Sequence, residues 1–184
     1  MAHRHVSLLT KLPAFNEKDD CLSAVIETPK GSSNKYDYDA KHGHFELAKT
    51  LPEGLAFPFD FGFIPSTKGD DGDPLDVLVL MDFPAEMGCV VNVRLIGCIE
   101  AEQTEKGGKA VRNDRLIAIS RDSRTLSDVE ALSDLRSGLL DEIKQFFVQY
   151  NKLGGKKFKP IGDRGVERAL ALVKAGVKKA GKKH

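Results

Sequence analysis

An acidic loop that runs directly into an apolar strand constrains this chain more than any other feature. Residues 69–81 read G-D-D-G-D-P-L-D-V-L-V-L-M. Gly72 and Pro74 favour a turn, whereas the β-branched and leucine-rich run after them has the length and composition of a buried strand. The loop is therefore predicted to be anchored to the core. It carries four carboxylates, on Asp70, Asp71, Asp73 and Asp76.

Carboxylates this close repel one another at neutral pH unless a cation or several Lys and Arg side chains neutralise them. Hard oxygen ligands of this kind suit Mg²⁺, Mn²⁺ or Ca²⁺ rather than Zn²⁺. An EF-hand is excluded, because counting from Asp71 the required Gly and Glu positions hold Asp76 and Asp82. A solvated acidic turn is the alternative to a divalent-metal site.

Composition indicates one ordinary globular domain. The 184 residues are 41% hydrophobic, which suits a single core over residues 1–184. The net charge of only +1 indicates no nucleic-acid partner. Cys21, Cys89 and Cys98 show no C-x-x-C spacing and are typical of reduced thiols. No apolar run reaches the length of a signal peptide or a membrane span. We therefore expect a cytoplasmic protein without membrane association.

Strand patterns dominate the first two thirds of the chain. Residues 21–27 predict a strand, and the alternation in residues 35–39, followed by residues 44–47, predicts a hairpin. Residues 89–99 and 110–119 predict a second hairpin around a Gly-Gly turn. Strands followed by helices indicate an α+β protein with a small barrel.

Two helices are predicted after the strands. A capping box begins at Ser127, and apolar residues recur with helical spacing as far as Tyr150, before a Gly-Gly helix end at Gly154. A second amphipathic helix is predicted with Asp163 as its N-cap. The basic residues 176–184 are expected to form a disordered tail.

Two other patterns are interpreted structurally rather than chemically. Residues 57–63 place a phenylalanine at every second position, which predicts an apolar face packed in the core. His42 and His44 are two residues apart and could ligate a metal ion, but without a third ligand nearby they are interpreted as solvated turn residues.

Together, the motifs resemble those of the soluble family I inorganic pyrophosphatases. Residues 71–77, D-G-D-P-L-D-V, match the signature D-x-D-P-x-D-V, residues 25–29 resemble V-x-E-I-P, residues 35–37 resemble K-x-E, and residues 147–150 resemble F-x-x-Y. The resemblance covers about residues 25–150. It implies a five-stranded OB-like barrel flanked by a long helix and a C-terminal helix, hydrolysis of pyrophosphate to two phosphates with Mg²⁺ or Mn²⁺, and a homo-oligomer, usually a hexamer.

The resemblance also implies roles for single side chains. Asp71 and Asp76 would hold the metal ions that flank the attacking water, and Asp73 would accept the proton of that water. Pyrophosphate is small and heavily charged, so cationic side chains are needed as well. The remaining implied roles are catalysis by Lys35 and Tyr150, phosphate binding by Lys35, Lys49, Arg115 and Tyr150, and metal ligation by Asp73, Glu27 and Asn113.

Six positions depart from the family pattern: Asp37 for a Glu, Lys49 for an Arg, Phe57 and Phe61 for tyrosines, Asn113 for a metal-binding Asp, and Asn151 for a Lys. Asp114 is expected to point away from the site, because neighbouring strand residues face opposite sides. Glu102 and Glu105 lie near a further metal-binding Asp of the family, with no choice between them. The changes fit either a divergent pyrophosphatase or a paralogue that binds phosphate or polyanions without hydrolysis, using its basic C-terminus.

Overall fold

The computed structural model describes residues 9–16, 21–104 and 107–182. Two helices lie in this part of the chain, α1 (Leu139–Leu153) and α2 (Val166–Gly181), with short 3-10 turns at Leu9–Lys11 and Leu132–Asp134. Neither helix is long and apolar enough to cross a membrane. The strands are β1 (Phe15–Asn16), β2 (Cys21–Thr28), β3 (Asn34–Asp39), β4 (His44–Thr50), β5 (Asp60–Ile64), β6 (Leu75–Leu80), β7 (Val90–Thr104), β8 (Ala110–Arg112), β9 (Arg115–Ser120) and β10 (Lys157–Arg164).

Five of these strands close into a barrel. The main sheet runs β1-β2-β5-β6-β9-β7-β10, and an additional pairing of β2 with β7 joins its ends into a ring of β2, β5, β6, β9 and β7. The β3–β4 hairpin forms a separate two-stranded sheet. The predicted OB-like barrel flanked by two helices is therefore confirmed.

The apolar run after the acidic loop forms β6, at the centre of the fold. Val77 and Val79 join a core that α2 covers, whereas Leu78 and Leu80 join a second core that α1 covers. A strand buried on both faces needs a continuous apolar run, which explains the sequence pattern. Burial of each such side chain contributes roughly 1.5–3 kcal/mol, so the loop is anchored as predicted.

The start of the long helix was predicted wrongly. Helix α1 begins at Leu139, well after the proposed capping box at Ser127. The guanidinium of Arg94 donates hydrogen bonds to the carbonyl oxygens of Leu126 and Val129, and this holds the preceding segment in an irregular conformation. The predicted helix end is confirmed, since the helix stops at Gly154.

The C-terminal region needs two corrections. Asp163 is not an N-cap but lies in β10, a strand that the sequence analysis missed because Pro160 and Gly162 interrupt its pattern, and α2 begins only at Val166. Helix α2 then continues to Gly181, so residues 176–181 are not disordered. Gly176 is buried against Thr67 and Leu75, and residues 183–184 lie outside the described residues.

The predicted return strand, residues 110–119, is divided into β8 and β9. Asn113 and Asp114 lie between the two strands, and Asp114 Oδ1 accepts a hydrogen bond of 2.9 Å from the Ala101 amide. The predicted phenylalanine face is only partly a strand, because β5 begins at Asp60. Its members Phe57, Phe61 and Phe63 are nevertheless buried.

Candidate active site

A cleft of about 1020 Å³ collects side chains from distant parts of the chain. The β3–β4 hairpin, the acidic loop, the region around β8 and the end of α1 all contribute to its lining. Every residue to which the sequence analysis gave a chemical role lines this cleft: Glu27, Lys35, Lys49, Asp71, Asp73, Asp76, Asn113, Arg115 and Tyr150.

Hydrogen bonds within the acidic loop fix its shape. The Gly69 amide donates to the Asp73 carbonyl oxygen over 2.7 Å, and the Asp73 amide donates to Asp71 Oδ1 over 3.2 Å. Gly72 has a φ of 99°, a left-handed conformation that favours glycine. The turn therefore presents Asp71 and Asp73 to the cleft, and Asp76 reaches it from the start of β6.

Glu27 and Lys35 lie close to each other and to the carboxylates of Asp73 and Asp76. Glu27 is 8% exposed, and its Oε1 accepts a hydrogen bond of 2.8 Å from the Tyr38 amide. Burial raises the pKa of Glu27 to about 7, against the opposing effect of the Lys35 charge, while Asp76 and Asp73 raise it further. Burial likewise lowers the pKa of Lys35. The Lys35 ammonium also ion-pairs with Asp37, which lines the same cleft.

Arg115 is the most deeply buried cation of the cleft, with 4% of the residue exposed. Its guanidinium ion-pairs with Asp76, donates to Asn113 Oδ1, and stacks 5.3 Å from the ring centroid of Phe147. Its Nε has no hydrogen-bond partner within the described protein. Arg115 thus combines a fixed position with donor capacity for an anion.

The floor of the cleft is aromatic. Phe57 and Phe61 pack 5.6 Å apart, and Tyr150 lies 5.5 Å from Phe57. Burial raises the pKa of Tyr150, so its hydroxyl stays protonated. Lys49 Nζ lies 3.6 Å above the Tyr150 ring centroid, and Asn151 Nδ2 donates to the Phe147 carbonyl oxygen of its own helix.

The lining residues that were missed in the sequence include Gln103, Lys109 and Lys156. Long-range pairing of β7 with β8 and β10 brings them to the cleft, and no local pattern marked them. Gln103, and not Glu102, lines the cleft in the region where the family resemblance implied another carboxylate; Glu105 lies outside the described residues. Gln103 Oε1 accepts a hydrogen bond of 3.4 Å from Asn113 Nδ2.

The acidic-loop carboxylates are spread out rather than drawn together. Among the described residues, the one group of three potential metal ligands whose ligand atoms all lie within 4.8 Å is Asp39, His44 and Glu46, at the tip of the β3–β4 hairpin. Repulsion between the loop carboxylates and the pairing of Asp76 with Arg115 account for the wider spacing in the loop.

Comparison with known proteins decides the family. A sequence model of the inorganic pyrophosphatase family matches residues 24–181. The chain belongs to the inorganic pyrophosphatase family. It is 39% identical over 170 residues to the inorganic pyrophosphatase of Thermus thermophilus, covering 91% of this chain and 94% of that protein. It is 37% identical to the enzyme of Synechocystis over 92% of this chain and 97% of the relative.

Solved pyrophosphatase structures share the fold. The crystal structure of the Thermus thermophilus enzyme has a TM-score of 0.86 at 36% identity, over 95% of this chain and 99% of that chain. A Helicobacter pylori inorganic pyrophosphatase has a TM-score of 0.83 at 32% identity, over 94% and 100%. The resemblance inferred from the sequence motifs is thus confirmed. Inorganic diphosphatase is the supported enzyme class, and the alternative of a non-catalytic polyanion-binding protein is not favoured.

Proposed function

We propose that this chain hydrolyses inorganic pyrophosphate to two phosphates in the cleft, using a water molecule activated by divalent metal ions. The observation that carries the proposal is the meeting of the acidic loop with Lys35, Lys49 and Arg115 in one cleft. A tetra-anionic substrate needs such a mixture, because cations must offset its charge while carboxylates position the metal and the water.

The metal that best fits the cleft is Mg²⁺, with Mn²⁺ as a substitute. Glu27, Asp71, Asp73 and Asp76 offer only hard oxygen donors, and Asn113 adds a neutral amide oxygen. The raised pKa of Glu27 supports this assignment, since a buried carboxylate beside two others is stabilised by a cation. When bound, the ion lowers the pKa of a water molecule and offsets negative charge on the phosphoryl oxygens.

Asp73 is assigned as the acceptor of the water proton. Its backbone amide and carbonyl are both hydrogen-bonded within the loop, so the carboxylate is held at a defined position. As the water oxygen bonds to one phosphorus, the bridging P–O bond breaks and its electrons leave with the second phosphate. The proton stays on Asp73 until the products depart.

The cations and the tyrosine bind the phosphoryl oxygens. Arg115 supplies a buried guanidinium, while Lys35 and Lys49 act as point charges beside it. Tyr150, whose hydroxyl is kept protonated by burial, donates a hydrogen bond to the same oxygens. By resemblance to the family, we also propose a single-domain, cytoplasmic homo-oligomer, a hexamer, as the working form of the chain.

A phosphate-release assay tests this proposal. Wild-type protein should release phosphate from pyrophosphate only when Mg²⁺ or Mn²⁺ is present, and Asp73→Asn should lower the rate by roughly 10²–10⁴. The matched control is Asp70→Asn, since Asp70 belongs to the same loop but ion-pairs with Lys179 outside the cleft lining. Metal-independent release, or equal rates in wild type and Asp73→Asn, would contradict the proposal.

A further inference from the structure

The tip of the β3–β4 hairpin brings together four potential metal ligands that the proposed reaction does not use. We call Asp39, His42, His44 and Glu46 the tip cluster. Asp39 ends β3 and lies opposite His44, the first residue of β4, and Glu46 follows two positions later on the same face of the strand. The ligand atoms of Asp39, His44 and Glu46 all lie within 4.8 Å of one another.

The fourth member, His42, lies in the turn and completes a set of two imidazoles and two carboxylates. Its Nδ1 contacts Asp39 Oδ2, and its ring centroid is 5.9 Å from that of His44. His44 Nε2 lies 3.0 Å from Glu46 Oε1. His42 and His44 are expected from the sequence to be solvated for lack of a third ligand, but the hairpin supplies two, Asp39 and Glu46.

The hairpin holds the tip cluster in place from both sides. Asp39 Oδ1 accepts hydrogen bonds from the amides of Lys41 and His42, at 2.7 and 3.0 Å, which fixes the turn. On the opposite face, Tyr38 packs 5.0 Å from Phe45. The tip cluster itself faces solvent, where His44 and Glu46 side chains are 54% and 58% exposed and accessible to an ion.

We propose that the tip cluster is a second metal site, specific for a borderline divalent ion such as Zn²⁺. Imidazole nitrogens combined with carboxylate oxygens suit Zn²⁺, whereas Mg²⁺ prefers the all-oxygen cleft. Donor atoms around a tetrahedral Zn²⁺ lie roughly 3.5 Å apart, so rotation of exposed side chains is sufficient to close the site. Asp39 also lines the mouth of the cleft, and β3 carries Lys35 and Asp37 just before it. An ion at the tip would tie β3, which presents these side chains, to β4, which presents Lys49.

Calorimetric titration with Zn²⁺ in the presence of excess Mg²⁺ tests the site, because Mg²⁺ competes for the cleft. The wild type should bind one equivalent of Zn²⁺ at the tip, and His44→Ala should weaken that binding at least tenfold. The matched control is the double substitution His3→Ala with His5→Ala, which removes the other closely spaced histidine pair of the sequence. The control should keep the wild-type affinity for Zn²⁺.

Co²⁺ provides an independent spectroscopic test. Wild-type protein titrated with Co²⁺ under the same conditions should show visible absorption bands from imidazole coordination, and His44→Ala should lose them. The same Zn²⁺ affinity and Co²⁺ spectrum in wild type and His44→Ala would overturn the proposal, as would loss of Zn²⁺ binding in the His3 and His5 control. Phosphate release with Mg²⁺ should be unchanged in His44→Ala, so this test is independent of the test of pyrophosphate hydrolysis.

Discussion

Two groups of residues that line the cleft differ in charge. The acidic wall, formed by Glu27, Asp71, Asp73 and Asp76, presents four carboxylates. The amide wall, formed by Gln103 and Asn113, presents two neutral carboxamides that hydrogen-bond to each other. The acidic wall keeps the family signature, whereas the amide wall departs from it. Metal binding in this chain should therefore depend almost entirely on the acidic wall.

Arg115 connects the two walls. Its guanidinium ion-pairs with Asp76 of the acidic wall and donates to Asn113 of the amide wall. An Asp in place of Asn113 would have to share this guanidinium with Asp76. Because Asn113 is neutral, Arg115 remains available to Asp76 and to phosphoryl oxygens. An amide in place of the family's carboxylate therefore changes the balance of charges in the cleft as well as the number of anionic metal ligands.

Removing a carboxylate from the acidic wall should have the largest effect. We expect Asp71→Ala to weaken Mn²⁺ binding about a hundredfold or more. Loss of a residue that only hydrogen-bonds to a metal ligand already lowers metal affinity about 10–100-fold, and Asp71 is proposed as a direct ligand. Titration calorimetry measures this affinity, with Asp70→Ala as a control in the same loop. Equal Mn²⁺ affinities in wild type and Asp71→Ala would show that the acidic wall does not hold the metal.

The pKa of Glu27 makes the acidic wall sensitive to pH. In the unfolded chain this carboxyl ionises near 4.5, but in the folded protein it keeps its proton up to about pH 7. Without divalent metal, its contribution to stability is complete below pH 4.5 and is lost as pH rises through 7. We expect Glu27→Gln to avoid this loss, so that its free energy of unfolding relative to wild type rises by about 3 kcal/mol between pH 4 and pH 8.

Urea denaturation of both proteins at these two pH values measures the change in the free energy of unfolding. Added Mn²⁺ should stabilise the wild type more than Glu27→Gln at pH 8, since the ion favours the ionised carboxylate. If the difference in the free energy of unfolding between the two proteins were the same at pH 4 and pH 8, the assignment of Glu27 to the acidic wall would be wrong.

A substitution in the aromatic floor of the cleft should increase the rate of phosphate release. Phe61 lies under Lys35 and Arg115, with Lys35 Nζ 5.4 Å from its ring centroid. A hydroxyl that bonds to a charged group contributes roughly 1.5–3 kcal/mol, so Phe61→Tyr should raise the rate of phosphate release about tenfold. Phe146→Tyr is the matched control, because Phe146 belongs to the same aromatic cluster but does not line the cleft. A lower melting temperature with no increase in rate would instead mean that the hydroxyl is buried without a partner.

Restoring charge to the amide wall should have the smallest effect. We expect Asn113→Asp to tighten Mn²⁺ binding by about fivefold, since the added charge attracts the ion but is partly neutralised by Arg115. The same calorimetric titration measures the change. Unchanged or weaker binding would mean that Asn113 does not face the metal.

The acidic wall was predictable because its determinants are contiguous in sequence. Turn formers, carboxylates and the buried strand all fall within residues 69–81, and the family signature adds the roles. The amide wall was only half predictable. Asn113 was found by comparison with the family motif, but Gln103 reaches the cleft through the pairing of β7 with β8, a tertiary contact without a local pattern.

The failed predictions have the same origin. The capping box at Ser127 is a valid local signal, yet Arg94, more than 30 residues earlier, binds the carbonyl groups of that segment. The strand β10 contains Pro160 and Gly162, which read as a loop, but its pairing with β7 overrides them with a register shift at that point. Local propensity identified strands with an unbroken apolar or alternating pattern, whereas it missed β10 and the start of α1, which distant contacts determine.

The position of the bound ions tests the contrast between the walls most directly. Anomalous diffraction from crystals soaked in Mn²⁺ would locate each ion independently of any mutation. We predict anomalous peaks within bonding distance of the carboxylates of Asp71 and Asp76, in the range of about 2.0–2.6 Å that hard divalent ions show with oxygen ligands. Peaks coordinated by Gln103 and Asn113 without the acidic-wall carboxylates, or no peak in the cleft at saturating Mn²⁺, would contradict the account.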